Sequence, residues 1–133
     1  MGVFSDIQAA LDTRLSTVTG LPAVAWENVH YKPVKGTPFI RPTNIAGDSV
    51  LNTVARQQMN TGIYQIDLFY PTSDGPGDLL TMLDTIYDHF KIDNELVANT
   101  TKVIVRSIGR TRVDREEAWA TASIEIVYDC YAT

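Results

Sequence analysis

Cys130, His30 and His89 are the residues of this 133-residue sequence from which a thiol–imidazole pair could be built. In such a pair the imidazole takes the thiol proton and leaves a nucleophilic sulfur. Cys130, however, falls on the apolar parity of an alternating C-terminal segment, where a small buried hydrophobe is the ordinary role and a buried thiol is inert. No Gly-x-Ser-x-Gly elbow occurs. Asp84 and Asp88 stand one helical turn apart, with His89 beside the second. Two carboxylates at that spacing can contribute to a hard-cation site, but two ligands are too few, and a solvated helix face accounts for them. Gly75-Pro76-Gly77-Asp78 precedes a helical pattern, and helix N-termini attract anions. Asp74 and Asp78 would repel a phosphate there, so the stretch reads as a turn closed by an Asp cap. His89, near the other end of that helix, suits the negative end of the dipole. No catalytic, metal-ligating or cofactor-binding residue is expected, and the chain does not read as an enzyme.

Charge excludes a second class. The net charge is −5, and the 11 basic residues are scattered apart from Arg106, Arg110, Arg112 and Arg115. Asp114, Glu116 and Glu117 balance that cluster, which reads as a solvated hairpin tip. Coating of nucleic acid needs clustered cations, and without them Trp26, Trp119 and the six tyrosines belong to a core or a protein interface. One cysteine cannot form an intrachain disulfide. The first residues lack the basic-then-apolar order of a signal peptide, and no run approaches a membrane span, so a soluble intracellular chain is expected. Asn99-Thr100-Thr101 matches a glycosylation sequon that means little without a secretory route. The length suits one domain over residues 1–133, which on folding buries roughly two-thirds of the surface of the unfolded chain.

The elements that must carry these residues follow from periodicity. Ser5-Asp6-Ile7-Gln8 has the form of a capping box. Ile7, Leu11, Leu15 and Val18 then recur at helical spacing, predicting a helix over about 4–18 that Gly20 and Pro22 end. Ala23 to Trp26 reads as a short strand, 27–36 as a loop, and 37–46 as extended, with Pro42 favouring a sheet edge or bulge. Ile63 to Tyr70 alternates, with Tyr64, Ile66, Leu68 and Tyr70 on one face and Gln65 and Asp67 on the other. After the turn 71–77, Asp78 is expected to cap a second helix. Its buried stripe is Leu79, Leu83, Ile86 and Phe90, widened by Met82 and Tyr87, while Thr81, Asp84, Thr85 and Asp88 face water. Lys102 to Ile108 is a β-branched strand, 109–117 a polar tip, and 118–131 a strand with Ala118, Ala120, Ala122, Ile124, Ile126, Tyr128 and Cys130 on one face. This order predicts an α+β fold: a mostly antiparallel sheet with both amphipathic helices packed on one face.

Gly47 to Gly62 lacks clean periodicity. It admits a weak helix over 49–58, or a long loop or extended hairpin that contacts neighbouring subunits and orders on assembly. In the second reading Val50, Leu51, Val54 and Met59 gain by burial against a partner, and Arg56 pairs with an acidic neighbour. Phe39 and Arg41, in the exposed strand surface near 38–46, complete the interface candidates.

Several segments together resemble the tail-terminator proteins of long-tailed bacteriophages. They are the first helix ending in Gly20-Leu21-Pro22 with Val24-Ala25-Trp26-Glu27-Asn28 after it, then Gly36-Thr37-Pro38-Phe39-Ile40-Arg41. Gly62-Ile63-Tyr64-Gln65-Ile66-Asp67-Leu68-Phe69 follows, with a Pro/Gly turn and a helix ending in Asp88-His89-Phe90, and last the Ile/Val/Tyr-rich closing strand. The resemblance spans nearly the whole chain and departs at 47–58. It implies a virion protein, assembled in the host cytoplasm, that forms a ring, expected to be a homohexamer, at the head-proximal end of the tail. That ring stops tube polymerisation and offers a surface to the head connector. Its partners would be its own copies, the tail tube protein and the connector. DNA would be passing cargo, and neither cofactor nor membrane would be involved. Another neck or head–tail joining ring is the nearest alternative. A small ligand-binding or enzymatic domain is a further one and would need a polar pocket for which the sequence offers no constellation.

Overall fold

The computed structural model describes residues 2–27, 29–34, 36–52, 57–72, 77–91, 94–98, 101–116 and 118–132, without the side chains at 48–52, 57, 58, 116, 131 and 132. Along them run α1 (Val3–Ser16), β1 (Ala23–Val24), β2 (Phe39–Asn52), β3 (Gln57–Pro71), α2 (Gly77–Phe90), β4 (Glu95–Ala98), β5 (Thr101–Arg110), β6 (Asp114–Glu116) and β7 (Trp119–Ala132). The strands form one sheet in the order β1-β2-β3-β7-β5-β4, with β6 also on β7. All pairings are antiparallel except β1 with β2.

The period-2 pattern decides the layers. Tyr64, Ile66, Leu68 and Tyr70 of β3 and Ala120, Ala122, Ile124, Ile126, Tyr128 and Cys130 of β7 are buried. They pack in one core with Ile7, Leu11 and Leu15 of α1 and Leu79, Leu83, Ile86 and Phe90 of α2. Both helices therefore lie on one face, and each large apolar side chain buried there contributes roughly 1.5–3 kcal/mol. The opposite face carries no helix. Its rows across β2, β3 and β7 are Phe39–Phe69–Thr121, Arg41–Asp67–Ser123, Thr43–Gln65–Glu125 and Ile45–Ile63–Val127. It is polar in the middle and apolar at both ends.

Several local expectations need correction. The capping box does not form: α1 begins at Val3, the Ser5 hydroxyl donates to the Gly2 carbonyl, and the Gln8 amide donates to Asp12. The helix ends at Ser16, two residues short of the predicted limit, although Val18 is still buried and Gly20 is left-handed at φ 74°. Asp78 lies inside the first turn of α2 and not at its cap, because the helix begins at Gly77. There the carboxylate still meets the positive end of the dipole. Tyr87 does not widen the buried stripe; it is 44% exposed. Ala118 sits in a turn and is exposed. The span 109–117 is not one tip: β5 runs on to Arg110, and β6 continues the pairing along β7. Strand β4 has no counterpart in the sequence reading.

Among the described residues the weak helix over 49–58 does not form. β2 runs through Asn52 and β3 starts at Gln57, so the described residues of this stretch form the two arms of an extended hairpin. A bulge near Gly47 shifts the register between Ala46 and Ser49. A Cβ on Gly47 would lie 2.9 Å from the Thr61 carbonyl oxygen. The hairpin does not stand clear of the sheet, because β7 follows β3 as far as Gln58.

Candidate functional site

The sheet has two lateral margins, and their backbone chemistry differs. On one side β1 covers β2 only at Phe39 and Ile40, where the Ile40 carbonyl accepts from the Ala25 N–H at 2.8 Å. Alternation turns Pro42 and Asn44 outward after Ile40. Pro42 has no N–H to offer. The Asn44 N–H is taken by the Glu27 carboxylate at 3.0 Å. From Ile40 to Asn44 the edge thus presents no free donor, which blocks strand addition by another chain there. Sequence reading left Pro42 at an edge or a bulge, of which the edge is found, but missed Glu27. An acid directly after a short strand was the available signal, and nothing local names Asn44 as its partner.

Beside that guarded edge, Ala25, Trp26, Glu27, Val29, Tyr31, Arg41, Pro42 and Thr43 line a groove of about 240 Å³. Phe39 stacks on Phe69 at 4.5 Å, meets Trp119 edge-on at 5.3 Å and touches Tyr31 at 5.3 Å. It is only 2% exposed and lies beneath Arg41 as part of the aromatic cluster, not in the groove's lining. The Arg41 guanidinium lies over the Phe69 ring at 5.1 Å and the Phe39 ring at 6.0 Å. These cation–π contacts fix its direction, and the side chain stays exposed. No described carboxylate forms a salt bridge with it.

On the other side, β4 covers β5 only at Thr101–Ile104. Farther along, Leu83, Asp84, Tyr87, Ile108, Gly109, Arg110 and Ile124 line a groove of about 260 Å³ between α2 and β5. Its floor is Leu83, Ile108 and Ile124, and its rim holds exposed Asp84, Tyr87 and Arg110. The wider arginine cluster is solvated, with Arg106 on Asp129 at 2.6 Å and Arg112 on Asp114 at 3.0 Å.

Of the residues weighed for catalysis, Cys130 lies in the core and His89 at the contact between the two helices. Cys130 is buried, and burial pushes its thiol up to about 11, with the Asp6 charge adding to the shift. His30 is exposed. His89 Nε2 lies 3.0 Å from the Arg14 carbonyl and 2.7 Å from Thr17 Oγ1. Thr17 already donates its hydroxyl proton to Arg14 O, so Nε2 carries the hydrogen of this shared bond. Burial, and secondarily the Arg14 charge, hold His89 below its usual value. Asp84 and Asp88 lie on the exposed side of α2, and among the described residues no third His, Cys, Asp or Glu groups with them.

A polar network missed by sequence reading ties α1 to the sheet. Tyr64 donates to Asp12 at 2.5 Å, and Tyr128 donates to Asn44 at 2.7 Å. Burial, followed by the Asp12 contact, raises the Tyr64 phenol well above its usual range. Of the remaining interface candidates, Val54 and Arg56 lie outside the described residues. Val50 and Leu51 are described in backbone only, opposite Met59 and Gln58. Met59 is half-buried and also pairs with Tyr131.

Residues 6–128 match a family model described as phage tail terminator protein. Among solved structures, one chain of 22% identity superposes with a TM-score of 0.73, covering 96% of this chain and 94% of its own. A chain from the virion of a native gene transfer agent particle superposes with a TM-score of 0.64 at 14% identity, covering 98% and 96%. At those identities the likeness concerns the fold. None of the curated proteins compared with it matches.

Proposed function

The chain belongs to the phage tail terminator family, and from that premise we propose that it forms a closed ring on the head-proximal end of the tail tube, stops tube polymerisation there and presents the joining surface for the head connector. Membership makes it a structural, tail-associated virion protein, and the family match over residues 6–128 is the observation that carries the reading. Copies meet head to tail, and a hexamer matches the ring that the resemblance implies. Heterologous contacts that close give a ring without requiring a self-complementary patch. The two unlike lateral grooves fit that scheme. DNA passes through the lumen as cargo, and the net charge of −5 suits a passage that must not hold it. Assembly takes place in the host cytoplasm.

Adding the protein to the polymerising tube protein of the same phage tests this. Tubes should become shorter and carry a ring at one end in electron micrographs. Unchanged tube length with excess protein present sinks the terminator reading.

A further inference from the structure

We propose that the groove beside the free edge of β2, with Arg41 at its mouth, receives the Asp84–Tyr87 shoulder of α2 from a second copy of this chain. The inference rests on the ring reading and names the surfaces that would close it.

Position is the first argument. β2 and β5 lie on opposite sides of the central β3–β7 pair, so the two grooves occupy opposite lateral margins. Patches so placed cannot meet within one chain and can meet between successive copies, which is the geometry of a head-to-tail contact.

Backbone chemistry is the second. At Pro42 and Asn44 the edge has no donor to give, because Glu27 occupies the Asn44 N–H. A neighbour arriving at Pro42 and Asn44 finds no backbone donor, so donors in the contact must come from side chains such as Arg41.

Charge and shape are the third. Arg41 is held by the Phe39 and Phe69 rings, is exposed and has no described salt-bridge partner. Asp84 is likewise exposed and absent from every described salt bridge, and the 44% exposed Tyr87 ring stands one turn along the helix. Apposition sets Arg41 against Asp84 and lays Tyr87 on the Val29 and Tyr31 wall. Arg110, on the rim beside Asp84, then faces Glu27. Each groove is lined by one cation and one anion, so the pairing is complementary in one head-to-tail register and repulsive in the reversed one.

The test compares wild type, Arg41→Glu, Asp84→Arg and the double reversal, each added to polymerising tube protein. Ring occupancy on tube ends is counted by electron microscopy, with melting curves to establish that all four fold. Each single reversal should lower occupancy by about tenfold or more, since like charges meeting across an interface are strongly disfavoured. The double reversal restores the pair in every contact of the ring and should return occupancy to within about threefold of wild type. Single variants that cap as well as wild type overturn the inference and leave the terminator reading standing. So does a double variant no better than the worse single one. A wild-type protein that does not cap overturns both.

Discussion

Gly62 shows how one missing side chain can hold a network in place. It lies in the middle of β3, where glycine ordinarily weakens a strand. A Cβ there would come within 2.7 Å of Tyr128 Cζ and 2.9 Å of the Ile45 carbonyl oxygen. The Tyr128 ring thus crosses the strand where only hydrogen fits, and its hydroxyl reaches Asn44. Gly62→Ala should destabilise the fold by about 1–3 kcal/mol, because the Ile45 backbone cannot yield as a flexible side chain would. Urea denaturation measures this, and an unchanged midpoint would show that the sheet shifts at no cost. The sequence shows Gly62 only as a boundary between an irregular stretch and a clear strand. Its partner lies 66 positions away, and no local pattern connects them.

The two helices cap each other at their C-terminal ends. The Arg14 guanidinium donates to the His89 carbonyl at 3.0 and 2.6 Å, while the His89 ring donates to the Arg14 carbonyl. The His89 carbonyl is thereby taken up at the end of α2, and the Arg14 carbonyl, which already accepts from the Thr17 N–H and hydroxyl, gains the His89 ring as a further donor. Because the folded state lowers the His89 pKa, it binds that proton less readily than the unfolded chain does. Stability from this group is full above about pH 6.5, the unfolded value, and is lost as pH falls through the lower folded value. Melting temperature should therefore drop between pH 7.5 and 5, and His89→Asn should drop less over the same interval. Equal slopes would show that other groups govern the acid limb. The sequence placed His89 at the helix end correctly, but saw its own dipole and not the carbonyl of the other helix. β4 escaped for a related reason. Glu95–Ala98 is four residues long, too short for alternation to register, and it exists as a strand because β5 lies beside it.

At the scale of the molecule, β3 is the central strand of the long hairpin sheet, paired with β2 on one side and β7 on the other. Amides at 58–69 should exchange slowly even in the free subunit, since this part of β3 lies between β2 and β7 and opening it requires parting both. The outer amides of β2 beyond Asn44 should exchange faster in the free subunit, and the proposed head-to-tail contact predicts that they slow on tube ends. Fast exchange throughout 58–69 in the free chain would count against the sheet as described.

Periodicity alone determined both helices, the parity of β3 and β7, and the α+β layering, because burial on one face writes itself into every second or every third to fourth residue. The resemblance of several ordered segments pointed to the family. Tertiary structure decided what has no local signature. Of the readings open for 47–62, the described residues took the extended hairpin and not the weak helix, because β2 and β3 pair with each other there and β7 continues the ladder as far as Gln58. Glu27 became an edge guard because β2 brought Asn44 to it, and Arg41 a held cation because β3 brought Phe69 beside its same-strand neighbour Phe39. A hydrogen bond or a stacked ring depends on distance in space, and distance along the chain does not fix it.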